Sequence, residues 1–369
     1  MTTGKQLFTT LESDGTLTLA IEEVTFPEPT GNQVLVKMEA APINPSDLAI
    51  LTGAADFENA EYSDGKVVAK MPEPFNSASK SRHGQKLPAG NEGAGTVIAT
   101  GDSDMAKALM GQRVACVPGN AFSQYAIADA AMCLPLGEHS SEAGASSFVN
   151  PMTALGFVEN AKMDGQKAIL HTVGASNLGQ MLNRICLEDG IELVNIVRKD
   201  DQAELLKSQG AKHVVNSSDD DFMDQLKSAI DETDAFYGFD PIGGGQMVDS
   251  CFRAMEQVAV SKMTEYSRYG SNQQKRMFIY GRLDFGPTVL TPAYGFGWTL
   301  SGWLLTPFLQ NAGMETVMRM RTRVLENLTT TFASHYKTKV DLEGMLTKDA
   351  ILDYRQMKTG EKYLVTPHG

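Results

Sequence analysis

Lys167-Ala168-Ile169-Leu170-His171-Thr172-Val173-Gly174-Ala175-Ser176-Asn177-Leu178-Gly179 is the stretch on which the fold of this chain turns. Lys167 to Leu170 is a short run suited to a buried strand, and Gly174 to Gly179 is a cluster of small residues suited to a tight turn. After it Leu178, Met181, Leu182, Ile185 and Cys186 recur at i, i+3, i+4, i+7 and i+8, the spacing of an amphipathic helix. Outward from there, Glu192 to Val197 predicts a second strand after a glycine turn. Ala203 to Gln209 predicts a helix with Gly210 placed to cap it, and His213-Val214-Val215 a third strand. Ala235 to Asp240 and Met277 to Tyr280 predict further strands, separated by a helix around Gln246 to Met255. This rhythm specifies an α/β class, with a parallel, doubly wound sheet and helices on both faces.

The first part of the chain has another texture. From Gln6 to about Gly137 it reads as short strands and turns: Gln33 to Met38 alternates polar and apolar residues, and Thr96-Val97-Ile98-Ala99 lies between glycine turns. Near Glu142 helical spacing begins, with Phe148, Met152, Leu155, Gly156 and Val158-Glu159. The tail from about Asn311 is helical again and closes on the strand-like Lys362-Tyr363-Leu364-Val365. A β-rich lobe of residues 1–141 and 304–369 around a doubly wound domain of residues 142–303 is the expected division. With 369 residues and 42% hydrophobic content, two cores of ordinary size can be buried.

Composition excludes several partners. Met1 to Gly15 lacks an apolar secretory core, and no stretch approaches the roughly 18 uninterrupted apolar residues of a membrane span, so a soluble, cytoplasmic protein is expected. The net charge of -13 repels nucleic acid phosphates, which leaves a small-molecule substrate. The cysteines, Cys116, Cys133, Cys186 and Cys251, lie too far apart for a C-x-x-C metal lobe and read as buried thiols.

Between the first strand and its helix, Gly174-Ala175-Ser176-Asn177-Leu178-Gly179 lets the backbone approach a pyrophosphate, with free amides and the helix dipole attracting its charge. Asn177 stands where the usual fingerprint has its middle glycine, and Asn tolerates left-handed backbone. Directly after the second strand an NAD enzyme would place an acidic residue for the ribose hydroxyls. This chain has Arg198-Lys199, suited to a 2′-phosphate and hence to NADPH. The competing interpretation is a solvated basic pair neutralised by Asp200-Asp201.

Together these features resemble the medium-chain dehydrogenase/reductase superfamily, in its zinc-free quinone oxidoreductase and 2-enoyl thioester reductase branch. Ile43-Asn44-Pro45-Ser46-Asp47 is similar to the family's N-P-x-D turn, Gly90-Asn91-Glu92-Gly93-Ala94-Gly95 to its G-x-E-G-A-G, and Gly111-Gln112-Arg113-Val114 to its G-D-R-V. Val149-Asn150-Pro151-Met152-Thr153-Ala154 is similar to the reductases' N-P-x-T-A helix. The resemblance implies a GroES-like lobe wrapped around a Rossmann domain with a cleft between them, Thr153 as a cofactor contact, and Tyr280-Gly281 beneath the nicotinamide. It also implies edge-to-edge homodimers through Gly295 to Leu305, the stretch of Trp298 and Trp303. Zinc-dependent members carry a Cys at the start of the first turn and a His in G-H-E; here Asn44 and Asn91 stand at or beside those places, so no metal is expected.

Reduction without a metal needs a polarised carbonyl and a proton source. The resemblance puts Asn44 and Asp47 at the floor of the cleft, where capping the turn is their other role. The loop in which enoyl thioester reductases keep a proton-donating tyrosine, Leu51 to Phe57, has none; the first is Tyr62, on a long segment from Phe57 to Gln85. The expected activity is hydride transfer from NADPH to a quinone or an α,β-unsaturated carbonyl compound. An enoyl thioester reductase, with Lys80-Ser81-Arg82 and Lys86 as a basic entrance, and a non-catalytic NADPH-binding protein are the alternatives.

Overall fold

The computed structural model describes residues 1–360 and 362–369. The chain divides into two compact units, Met1–Val149 with Val324–Gly369, and Asn150–Arg323.

In the first unit an antiparallel sheet forms in the order Asp56–Ser63, Lys66–Lys70, Thr16–Phe26, Thr2–Leu11, Lys86–Pro88. Its central hairpin pairs Leu7 with Ile21 and Leu11 with Leu17 across the Asp14-Gly15 turn, so Leu7, Leu11, Leu17 and Leu19 all point into the core. Each contributes about 1.5–3 kcal/mol relative to leaving it exposed. The segment from Phe57 onward is therefore not a simple loop. Asp56–Ser63 and Lys66–Lys70 are a hairpin that widens this sheet.

The second sheet of this unit runs Leu134–Pro135, Arg113–Cys116, Gly93–Thr100, Gln33–Pro42, Lys362–Val365, Tyr336–Val340, with Tyr125–Asp129 also paired to Gln33–Pro42. Val34, Val36 and Met38 point into the core as their spacing predicts, and Leu35 between them is buried as well. Gly95 is required where the sheet is tightest, because a Cβ there would lie 1.9 Å from the Lys37 carbonyl oxygen. Tyr336–Val340 was not foreseen as a strand: its sequence Tyr-Lys-Thr-Lys-Val alternates weakly, and it is held by its parallel neighbour Lys362–Val365.

The second unit is a six-stranded parallel sheet among the described residues, in the order His213–Asn216, Glu192–Val197, Ala168–His171, Tyr237–Asp240, Lys275–Ile279, Trp298–Gly302. The order reverses at Ala168–His171, and in open sheets of this kind ligands bind beyond the carboxyl ends of the strands at such a switch point, here Ala168–His171 and Tyr237–Asp240. Helix Val149–Met163 is apolar nearly all round and buried accordingly. Its Phe157 stacks on Phe239 with centroids 3.9 Å apart and meets Trp303 edge-on. Residues 304–323, expected with the tail, pack in this unit for a physical reason: Phe308 lies against Trp303, Arg319 pairs with Glu159, and Arg323 with Asp189. All four cysteines are buried. No described helix is long and apolar enough to cross a membrane.

Candidate functional site

Each unit holds one group of residues suited to chemistry. In the second unit, strand Ala168–His171 runs through Thr172 to Ser176 into helix Asn177–Asp189. Ser176 is the N-cap, with extended backbone (φ -62°, ψ 162°), and its Oγ accepts from the Gly179 amide at 3.0 Å. Asn177 is the first helical residue and does not adopt positive φ, so the expected left-handed asparagine is replaced by a serine cap that turns the chain. Gly174 and Gly179 do not have positive φ either. They are small because the turn is closed: a Cβ on Gly179 would lie 2.3 Å from the Gly174 carbonyl oxygen, and one on Gly174 2.8 Å from Asn195 Oδ1. Leu178 anchors the helix below, Ala175 is buried, and the Ala175 amide has no partner among the described residues. A bare turn at the start of a helix suits a bound anion.

Strand Glu192–Val197 lies parallel to the first and ends at Arg198-Lys199, both exposed. The neighbouring acids are engaged elsewhere: Asp200 Oδ1 accepts from Asn216 Nδ2 at 2.9 Å, and Asp201 Oδ1 from the Gln202 amide at 2.8 Å. Neither Arg198 nor Lys199 has an ion-pair partner among the described residues.

Where the sheet order reverses, the ends of three adjacent strands bring together His171, Thr172, Asp240 and Tyr280. The Tyr280 hydroxyl lies 2.7 Å from His171 Nε2 with the two rings stacked, so this phenol is directed into the unit. Burial pushes His171 down to about 3, which keeps it neutral. Thr172 Oγ1 donates to Asp240, which also accepts the Gly243 amide at 2.7 Å. Gly281 follows, where a Cβ would sit 2.7 Å from the Pro241 carbonyl oxygen. Thr153 is buried on helix Val149–Met163. The sequence reading named Tyr280 and Gly281 and did not name His171, Thr172 or Asp240, which the strand ends bring beside them. The glycine cradle and the free cations at the next strand end fit a phosphorylated dinucleotide.

In the first unit, Asn44, Asp47 and Glu92 are each 1% exposed. Pro45 starts helix Pro45–Leu51, where its missing amide costs nothing. Asp47 Oδ2 accepts the Asn44 amide and Oδ1 the Asn91 amide, both at 2.9 Å, so this carboxyl locks two turns together. Asn44 Nδ2 donates to Glu92 Oε1 at 2.8 Å, while Asn44 Oδ1 is buried without a partner. Burial raises the Asp47 carboxyl to about 7 against the opposing effect of its amide donors, and raises Glu92 for the same reason. Lys362 faces both acids; burial lowers its ammonium to about 8. Lys362 reaches this group because Leu364 and Val365 pair with Pro42 and Ala41, which brings the start of its strand beside Asn44. No motif in the sequence pointed to it.

Tyr62 lies in the added hairpin opposite Val67, and its hydroxyl donates to the Phe57 carbonyl at 2.7 Å. Of the expected basic entrance, Arg82 donates to Thr9 Oγ1 and the Ile50 carbonyl, and Lys86 pairs with Glu22. Asn91 donates to Ser46 Oγ at 3.0 Å. Among the described residues no three His, Cys, Asp or Glu side chains are grouped to hold a metal ion.

Residues 30–138 match the alcohol dehydrogenase GroES-like domain family. The chain is 30% identical over 206 residues to the human mitochondrial enoyl-[acyl-carrier-protein] reductase, a match covering 51% of this chain and 46% of that protein. It is 26% identical over 191 residues to mouse prostaglandin reductase-3, covering 52% and 44%. The chain thus spans about half the length of these curated relatives. Among solved structures, a putative NADPH:quinone reductase from Mesorhizobium loti is similar over 100% of both chains, with 26% identity and a TM-score of 0.76. An enoyl thioester reductase variant from Candida tropicalis shares the fold at 18% identity, covering 99% and 100%, with a TM-score of 0.68.

Proposed function

We propose that this chain, a member of the quinone and enoyl reductase branch of the medium-chain dehydrogenase/reductase superfamily, is an oxidoreductase that moves a hydride from NADPH to a quinone or an α,β-unsaturated carbonyl compound. The observation that carries the proposal is the unpaired cationic end of strand Glu192–Val197, beside a turn with no room for a Cβ at Gly174 or Gly179 unless its neighbours shift. When bound, the nicotinamide supplies the hydride. Gly174 to Gly179 hold the pyrophosphate, Arg198 and Lys199 hold the 2′-phosphate, and Thr153, Tyr280 and Gly281 border the nicotinamide half. Asp47 keeps the Asn44 turn in place for the substrate.

Asn44 and Asn91 offer amides where zinc would need thiolate, imidazole or carboxylate, so the reaction is assigned to a metal-free enzyme. Strand Trp298–Gly302 is the last of its sheet and is the edge we assign to pairing with a second copy. The reduction of an enoyl thioester is the second possibility, favoured by the 30% identity to a protein named for that reaction. The test follows NADPH oxidation with a benzoquinone, an enal and a crotonyl thioester supplied in turn. Turnover of the first two supports the proposal, and turnover of the thioester alone supports the second. Tight NADPH binding without turnover of any of them would overturn both in favour of a non-catalytic binder.

A further inference from the structure

Strands Tyr336–Val340 and Lys362–Val365 are parallel, with Tyr336 opposite Lys362 and the register shifting by one residue before Thr338 meets Tyr363. Both residues therefore open their strands at the end of the sheet where Gln33–Pro42 runs on into Asn44. Between them sits Ser146, which is 2% exposed. Lys362 Nζ donates to Ser146 Oγ at 2.7 Å, and Ser146 Oγ is 2.7 Å from the Tyr336 hydroxyl.

The first link of this chain has a fixed direction, and the second joins two hydroxyls, either of which is able to donate. An ammonium only donates, so Ser146 Oγ accepts from Lys362. The serine's own proton has one acceptor among the described residues, the Tyr336 oxygen. With the serine proton on its oxygen, Tyr336 turns its own phenolic proton away from Ser146, on a side chain that is only partly buried. Tyr62, by contrast, donates its proton to the Phe57 carbonyl.

We propose that Tyr336 is the proton donor of the reduction, and that Ser146 and Lys362 resupply it. The inference rests on the reductase function proposed above. Addition of the hydride to the electron-poor carbon of the substrate leaves an enolate. The enolate takes the Tyr336 proton, breaking the O–H bond and forming the C–H or O–H bond of the product. The tyrosine oxygen takes the Ser146 proton, the serine oxygen takes one from the Lys362 ammonium, and water returns a proton to the neutral amine. Hydride and proton together account for the two-electron reduction.

The surroundings suit these roles. Lys362 faces the carboxyls of Glu92 and Asp47, and Tyr336 faces Glu92 and Glu142, the latter ion-paired with Lys339. Burial raises the Tyr336 phenol, which keeps it protonated, and lowers the Lys362 ammonium to about 8, where it gives up a proton readily.

The experiment compares wild type with Tyr336→Phe, Ser146→Ala and Lys362→Arg. Tyr336→Phe keeps the ring and should lower kcat with the reducible substrate by about 10²-fold or more, with the NADPH affinity from fluorescence titration unchanged. The wild-type kcat should fall as pH rises through about 8, and Lys362→Arg, whose guanidinium does not give up a proton, should lower kcat and abolish that limb. A readout independent of turnover is the Lys362 13Cε resonance of the free protein, assigned by its loss in Lys362→Arg. It should titrate near 8 in wild type and shift in Ser146→Ala. If Tyr336→Phe fails to fold by circular dichroism, Ser146→Ala decides through the same kcat loss. A wild type that binds NADPH and turns over no faster than a folded Tyr336→Phe overturns the relay alone, as does a Lys362 that titrates at about 10.4. A wild type that binds no NADPH overturns the reductase function from which the relay derives.

Discussion

Asn44 Nδ2 donates to one carboxylate oxygen of Glu92 at 2.8 Å, while the other oxygen accepts the amides of Phe148 and Val149 at 2.9 and 2.8 Å. One buried side chain thereby joins the Asn44 turn to Phe148 and Val149, all within the first unit. Glu92→Gln preserves shape but has a single acceptor oxygen, so its NH2 group must face a donor on one side. The substitution should cost about 1–3 kcal/mol, read by urea unfolding. An unchanged midpoint would show that Glu92 bears none of this load.

The pH dependence of stability should carry the mark of Asp47. Its carboxyl is raised from 3.8 to about 7, so the folded chain binds a proton that the unfolded chain has already lost between those values. Stability at this site is full below 3.8 and falls as pH rises to about 7, by an amount on the order of a few kcal/mol. Asp47→Asn cannot ionise. The stability difference between pH 5 and pH 8 should be larger in wild type than in the variant, and equal differences would remove Asp47 as the cause.

The glycine turn should tolerate side chains unequally. Gly179→Ala drives a Cβ to 2.3 Å from a carbonyl oxygen of the backbone, whereas Gly174→Ala meets the side-chain oxygen of Asn195 at 2.8 Å. Gly179→Ala should be the more damaging, losing about 1–3 kcal/mol of stability together with most nucleotide affinity. Calorimetry on both variants checks the order.

Arg198→Ala should weaken NADPH binding by on the order of tenfold to a hundredfold and leave NADH binding nearly unchanged, since charge-assisted hydrogen bonds contribute about 1.5–3 kcal/mol. Lys199 is equally exposed and able to compensate in part, which makes the double substitution the stronger test. If both substitutions leave the ratio of the two affinities intact, these residues are only a solvated strand end.

Purified protein should carry no stoichiometric zinc after dialysis. Elemental analysis decides, and one zinc per chain would contradict the assignment of Asn44 and Asn91 to amide roles.

The β-α-β order, the glycine turn, the Arg198-Lys199 strand end and the burial of Val34, Val36 and Met38 were all legible in the residues, because each is set within a few positions of the chain. Misjudgements came where distant neighbours win over local pattern. Asn177 was expected to bend the turn, but Ser176 caps it. Tyr336–Val340 has little strand signal alone and exists through its partner strand. Residues 304–323 follow Trp303, Glu159 and Asp189 rather than the tail.

What the sequence by itself determined is the local part: the class of the fold, the glycine turn before helix Asn177–Asp189 and the basic pair that ends strand Glu192–Val197, because backbone geometry and capping act over one or two turns of chain. What only the tertiary structure decided is the meeting of Lys362, Ser146 and Tyr336, which lie 216 and 190 residues apart. Strand register brings them together, and register is settled by which apolar faces bury against each other across the whole sheet, a condition that no short window of residues expresses.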